Sequence, residues 1–199
     1  MRILLALRRA RGGIAIIAAT YIITVAVGIA MVHMGNQRAL SFRDSLVAKA
    51  HRVDAASIAD DRGDHATAAA IDFSRNLGLA AIPETVGGLA FVLPVALAAY
   101  RGWVGGVVSV DRSHRSRLRK PRTAVYYVVT MLLQLMAYTL ADGAGLYLGW
   151  SYIKKRGPFV GPRWFRLPEP ALKDVAWLYV LIVPLFALGS WWEFLGPAT

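Results

Sequence analysis

Long apolar stretches alternate with short charged ones along the chain. The first, residues 12–34, contains no Lys, Arg, Asp or Glu. At about 1.5 Å rise per residue, some ~20 apolar residues span the ~30 Å hydrocarbon core of a bilayer, so this run predicts a membrane-crossing helix. Arg2, Arg8, Arg9 and Arg11 precede it, which also suits a secretory leader. A leader's apolar core is about 7–15 residues and closes on a small-residue cleavage site. This run is longer and ends in Met31, Val32, His33 and Met34, so a retained anchor is expected.

Residues 35–75 are polar. Leu46, Ala50, Val53 and Ser57 recur at helical spacing, widened by Val47 and Ile58, until Asp60, Asp61, Arg62, Gly63 and Asp64 interrupt the stripe. Asp64 is a candidate N-cap for a second helix with Ala66, Ala69, Ala70 and Phe73 on one face. Two amphipathic helices are expected, lying on a membrane or a partner, or simply solvated on one side.

Residues 77–100 form the second apolar stretch, which continues past Arg101 through residues 103–110. It carries Pro83, Glu84, Gly87, Gly88, Pro94, Gly102, Gly105 and Gly106. It overruns one bilayer, which predicts a full span, a break, and a half-helix or re-entrant turn; broken backbone at that depth must be satisfied by protein or water. The alternative use of the glycines is close helix packing. The third stretch, residues 124–153, also overruns and is expected to break at Asp142, Gly143 and Gly145. Tyr126, Tyr127, Tyr147, Trp150 and Tyr152 flank it as an interfacial aromatic belt would. A last span is expected over residues 175–195, with Pro184 inside. The pattern thus predicts an all-α polytopic bundle of about four full spans plus broken half-helices. Its parts are a basic N-terminus with the first span (1–34), an extramembrane amphipathic region (35–76) and a transmembrane bundle (77–199).

Composition agrees. The 199 residues are 56% hydrophobic and 18% charged, where soluble domains carry roughly a quarter charged. The formal charge is +11. Nucleic acid or anionic lipid would suit that excess, but the basic residues adjoin apolar runs, which favours lipid headgroups. The densest run holds Arg112, Arg115, Arg117, Arg119, Lys120 and Arg122 and has no aromatic residue for base stacking. Four crossings would place this run and Arg8 to Arg11 on one side. They would also place Lys154, Lys155, Arg156, Arg163 and Arg166 opposite, against the charge rule, and a fifth partial crossing would relieve that conflict.

No cysteine is present, so thiolate metal sites and cysteine nucleophiles are excluded. His33, His51, His65 and His114 lack metal-site spacing, and neither a nucleophile elbow nor a phosphate-binding glycine loop occurs. No cofactor and no catalysis are expected. The polar residues of note are Glu84, Gln134, Asp142 and Glu193. A central acidic residue costs ~2.5–3.5 kcal/mol in a bilayer even on a low scale, so each must face protein, water or the interface. They would form either a polar seam recognising an ion, substrate or helix, or ordinary interhelical hydrogen bonds.

Phe73, Asn76, Gly102 and Gly105 resemble the stage II sporulation protein M family, with Phe-x-x-Asn entering a span and a glycine-rich segment at its far end. Gln134, Leu135, Ala137, Ala141, Gly143, Gly145, Leu146 and Gly149 are similar to the family's Glu-Leu-x-Ala…Ala-Gly-Leu-x-Leu-Gly text, and Glu193 and Thr199 to its terminal Glu-x-x-x-Thr. The sequence departs from the family at Val129, Thr130 and Met131, which stand for Pro-His-Gly. It departs again at Gln134 for the family's glutamate and Arg101 for its asparagine. The resemblance implies a multi-span membrane protein acting in a complex, beside peptidoglycan-degrading partners in sporulating members and in transport or envelope assemblies elsewhere. The expectation is a non-catalytic subunit or scaffold of a bacterial inner-membrane complex, associating with other membrane proteins, with itself and with anionic lipid. A transporter subunit is the alternative. Packing sites within the bundle would include Gly87, Gly88, Arg101, Gly102, Gly105 and Gly145.

Overall fold

The computed structural model describes residues 2–155, 157–162 and 165–195, so Arg156, Arg163 and Thr199 lie outside the described residues. Helix α1 runs from Arg2–His33, 32 residues with no proline. Gly35, at φ +74°, ends it, and Asn36 Oδ1 accepts the amide of Ala39 at 3.1 Å to start α2 (Gln37–Val53). Asp54 closes α2 and caps α3 (Ala55–Asp61) through the Ser57 amide, so the stripe expected on one helix is divided between two. Asp64 caps α4 (His65–Ser74) through Thr67, as its position predicts. The buried face of α4 carries Ala68 and Asp72, with Phe73 half-buried; Ala66 and Ala70 are exposed.

The second apolar stretch departs from expectation. From α4 the chain continues as a π-helical segment (Arg75–Ala81), helix α5 (Ile82–Gly87) and a 3-10 turn (Gly88–Ala90). Pro83 lacks an amide hydrogen, and its ring crowds the carbonyl four residues earlier; the widened turn just before it, with Ile82 N–H bonded to Leu77 O, accommodates that. The break falls at Phe91, whose φ is +43°, and not near Arg101. Helix α6 (Val92–Val107) then contains Arg101, Gly102 and Gly105 in its interior. Pro94 sits in its first turn, where an amide hydrogen has no helical partner. There is therefore no full span over 77–100.

After a hairpin at residues 110–116 and a 3-10 turn (Arg117–Arg119), α7 (Pro121–Ile153) runs for 33 residues without interruption. The break expected at Asp142, Gly143 and Gly145 does not occur. Those glycines are packing notches, because neighbouring helices touch the backbone there and leave no room for water to replace a helical bond. Two short antiparallel strands, β1 (Phe159–Val160) and β2 (Leu167–Pro168), lead to α8 (Glu169–Leu195).

Of the described helices α1, α7 and α8 are long and apolar enough to cross a membrane, three where four spans are expected; α6 is apolar but shorter. Side-chain contacts set their directions. Arg9 and Tyr147 both reach Asp174, so the start of α1 meets the end of α7 and the start of α8. Met31 meets Trp103 and His33 meets Ser116 at the other end of the bundle. Thr85 and Gly88 lie beside Ala141 and Gly145, so residues 65–90 descend alongside α7 before α6 returns parallel to α1. The bundle thus has five legs, and the basic clusters at Arg8 to Arg11 and Arg112 to Arg122 sit at opposite ends, not on one side.

Candidate functional site: a buried charge cluster and its cavity

Arg101 is the hub. Its Nη1 and Nη2 donate to Glu84 at 2.6 and 2.5 Å, a bidentate pair joining α6 to α5. Asp142 Oδ2 of α7 lies 4.0 Å from the same guanidinium and accepts the Tyr21 hydroxyl of α1 at 3.3 Å. The guanidinium sits over the Tyr138 ring, 3.8 Å from its centroid, and makes a cation–π contact. The Asp142 side chain is fully buried and its Oδ1 has no hydrogen-bond partner.

A second chain of polar groups continues outward. The Tyr138 hydroxyl donates to Asn76 Oδ1 at 3.0 Å, and Asn76 Nδ2 donates to Asp72 at 2.9 Å. Asp72 also accepts Ser190 of α8 at 2.8 Å and pairs with Arg75, which in turn pairs with Asp54. Tyr21, Asp72, Tyr138 and Ser190 are absent from the residues expected by sequence, where Asn76 figures only in the family resemblance. A signal was present for two of them. Tyr21 and Tyr138 stand near the middle of apolar runs, away from the interface where tyrosine hydroxyls find water, so each needs an internal partner.

Of the four polar residues singled out by sequence, Glu84 and Asp142 converge on Arg101. Gln134 and Glu193 form a separate pair, with Gln134 Nε2 donating to Glu193, and the Tyr126 hydroxyl meets the Glu193 carbonyl at 2.5 Å. A cavity of about 360 Å³ connects the two groups, with Arg101, Tyr138, Gln134, Glu193 and Arg117 in its wall. Arg101 meets two carboxylates, and an uncharged Gln134 can donate to Glu193 where a glutamate would repel it.

Glycines bring the elements to this distance. A Cβ on Gly145 would lie 2.8 Å from Thr85 O, and one on Gly143 2.7 Å from Ile14 Cα; Gly88 faces the Gly145 backbone directly. Gly102 packs on Tyr21 and Thr24 of α1, Gly105 on the Met131 side chain, and Gly87 on Leu93 across the Phe91 turn. Thr85 Oγ1 lies 3.0 Å from Ala141 O and 2.9 Å from the Tyr179 hydroxyl, adding α8 to the same layer.

These features define an α-helical membrane protein whose legs are locked by backbone contacts and buried charges. Residues 17–195 match the family model of stage II sporulation protein M, and the chain belongs to that family. Neither the curated proteins nor the solved structures give a significant match.

Proposed function

We propose that this chain is a non-catalytic, multi-pass subunit of a bacterial inner-membrane complex, a scaffold whose rigid bundle presents its surfaces to other envelope proteins. The observation that carries this reading is how the buried polar groups are used. Arg101 is occupied by Glu84 on its fork and Tyr138 on its face, and Gln134 by Glu193. Each pair ties one helical element to another, which is what a framework requires. The five legs each cross the bilayer in this reading. Residues 65–90 and α6 form a hairpin whose turn at Phe91 packs its ring edge-on against Trp150. Extraction from the native membrane in mild detergent should recover other chains in fixed stoichiometry. A lone, stable monomer under the same conditions would sink the scaffold reading.

A transporter subunit is the second reading, favoured by one observation: the unpartnered Asp142 Oδ1 sits in a cluster with two carboxylates to one guanidinium, and Arg101 of that cluster lines a cavity. Polar groups at such depth often serve ions or protons. Flux through reconstituted vesicles that falls with Asp142→Asn and Glu84→Gln would support it; flux unchanged by both variants, or none at all, removes it.

A further inference from the structure

The end of the bundle away from Arg9 contains a group of buried donor atoms with no partner among the described residues. Helix α2 buries one face, Ala39, Leu40 and Arg43, against Val32, Val107 and Val110. Arg43 is 2% exposed, and although its Nη1 reaches Asp44 at 3.0 Å, its Nε is buried without a partner. Arg117, the first residue of the 3-10 turn that follows the hairpin, has the same defect at its own Nε. Ser109 is fully buried, its hydroxyl is unpartnered, and its carbonyl accepts the Arg117 amide at 2.8 Å, which ties it to the same strand pair. Burial, and then the nearby positive charge of Arg43, hold the Arg117 guanidinium below the ordinary arginine range.

Two guanidinium groups that repel each other and each retain an orphan N–H are a costly arrangement unless an anion lies between them. The nearby carboxylates do not bond either Nε: Asp44 meets Arg43 only at Nη1 and otherwise His114, and Asp111 meets Arg115 and two hairpin amides. A phosphate suits the vacancy in charge better than another carboxylate. Its several acceptor oxygens, held tetrahedrally, can meet two arginine forks at once. Space exists on both sides, a groove of about 460 Å³ beside Arg43, Arg52 and Arg112, and the 360 Å³ cavity beside Arg117.

Position then selects the source of the phosphate. Arg117 stands between the end of α1 and the start of α7, the level at which long apolar helices meet lipid headgroups. An apolar furrow of about 450 Å³ starts at the adjacent Leu118 and runs down between α1 and α7 past Ile29, Val25, Val128 and Leu132, with the form of an acyl-chain groove. We infer that Arg43 and Arg117 form a binding site for the phosphate of an anionic phospholipid. This rests on the membrane reading of the chain and is independent of whether it is a scaffold or a transporter.

The test uses the full chain reconstituted in vesicles of mixed phosphatidylcholine and phosphatidylglycerol, released into mild detergent and weighed intact by native mass spectrometry. The wild type should retain phosphatidylglycerol in preference to phosphatidylcholine. Arg117→Gln should lower that retention about tenfold, and Arg117→Lys, which keeps the charge but loses the fork, should lower it too. Arg119→Gln, the same charge change two residues away on an exposed side chain, should leave it unaltered. Arg43→Gln should match Arg117→Gln, with circular dichroism confirming that the helices persist; if it unfolds, the Arg117 pair carries the test alone. Equal losses for Arg119→Gln and Arg117→Gln would reduce the effect to general surface charge and overturn the site. Inorganic phosphate that stabilises the chain in pure phosphatidylcholine as strongly as phosphatidylglycerol does would overturn the lipid assignment. Partner recovery from native membranes is read separately, so failure here and failure of the scaffold reading are distinguishable.

Discussion

The bundle interior and the cap of α2, α3, the start of α4 and the 110–116 hairpin are both joined by pairs of ionisable side chains, yet the pairs work under opposite conditions. In the interior, Glu84, Arg101 and Asp142 have side chains 9%, 23% and 0% exposed. In the cap, the His51–Asp61, His65–Asp60 and His114–Asp44 pairs have side chains 39–52% exposed. Distances are alike, 2.5–2.9 Å in both regions for the direct contacts. Geometry therefore does not rank them; solvent does. A buried charge that loses its partner is left uncompensated, at a cost of about 3–5 kcal/mol, whereas an exposed pair contributes roughly 0–1 kcal/mol. The interior should be brittle and the exposed pairs of the cap tolerant.

The sharpest way to break this contrast is through the backbone contacts beneath the charges. A side chain at Gly145 would meet the Thr85 backbone, and one at Gly143 the Ile14 backbone, neither of which can rotate away. Gly145→Val and Gly143→Val should each prevent recovery of a folded, monodisperse protein in detergent, an effect at the upper end of single substitutions, above about 4 kcal/mol. Gly105→Ala is the control: it meets only the flexible end of Met131, so it should fold with a modest loss. Recovery of Gly145→Val at wild-type yield would mean the legs are not locked in this register.

Next in size is Arg101→Gln. It leaves Glu84 and Asp142 without a cation and should cost about 3–5 kcal/mol, read as a lowered thermal midpoint in detergent. Adding Glu84→Gln and Asp142→Asn to it should restore much of the loss, because the cluster is then neutral. If the triple variant is no better than the single, the cluster's stability does not come from charge balance.

Much of this arrangement was legible in the chain and some was not. The uncharged run of residues 12–34 specified α1, and Asp64 specified the start of α4, because length and capping are local properties. The break at Phe91 had no such signature; no glycine or proline occupies the position, and the fold imposes its φ of +43° by turning the chain under Trp150. Asp142, Gly143 and Gly145 misled in the opposite direction. Glycine in a helix costs about 1 kcal/mol relative to alanine, which suggests a break when neighbours are unknown. Here Ile14, Thr85 and Gly88 press on those positions, so the same residues hold a continuous helix against its partners. Glu84 and Asp142 were recognisable as residues needing company. Nothing local marks Arg101 as their shared counter-ion, since 41 positions separate it from Asp142 and only the return of α6 parallel to α1 brings them together.

In the cap, the expected effects are small. His51 accepts Arg112 on Nε2 at 2.8 Å and faces Asp61 with Nδ1 at 2.8 Å, which selects the neutral tautomer protonated on Nδ1. His51→Ala should shift the midpoint by no more than about 1 kcal/mol would, and His114→Ala the same. A loss comparable to Arg101→Gln would show that the cap is not solvated in the native membrane but covered by a partner.

The smallest effect is a pH dependence confined to the hairpin. Asp111 accepts the Arg115 amide at 3.0 Å and the Ser113 amide at 2.8 Å, and these bonds, the Arg115 one foremost, hold its carboxyl below the usual range. Because the folded value is the lower one, the turn is fully stabilised above the ordinary aspartate pKa of about 3.9 and loses that support as pH falls through the folded value. Amide exchange at Ser113 and Arg115, corrected for the intrinsic pH dependence, should be slow above about pH 4 and accelerate only below it. Asp111→Asn should remove the acid transition while leaving exchange in α7 untouched. Were exchange in α7 to rise with it, the hairpin would be coupled to the bundle, and the division between a brittle interior and a tolerant cap would fail at the point where they meet.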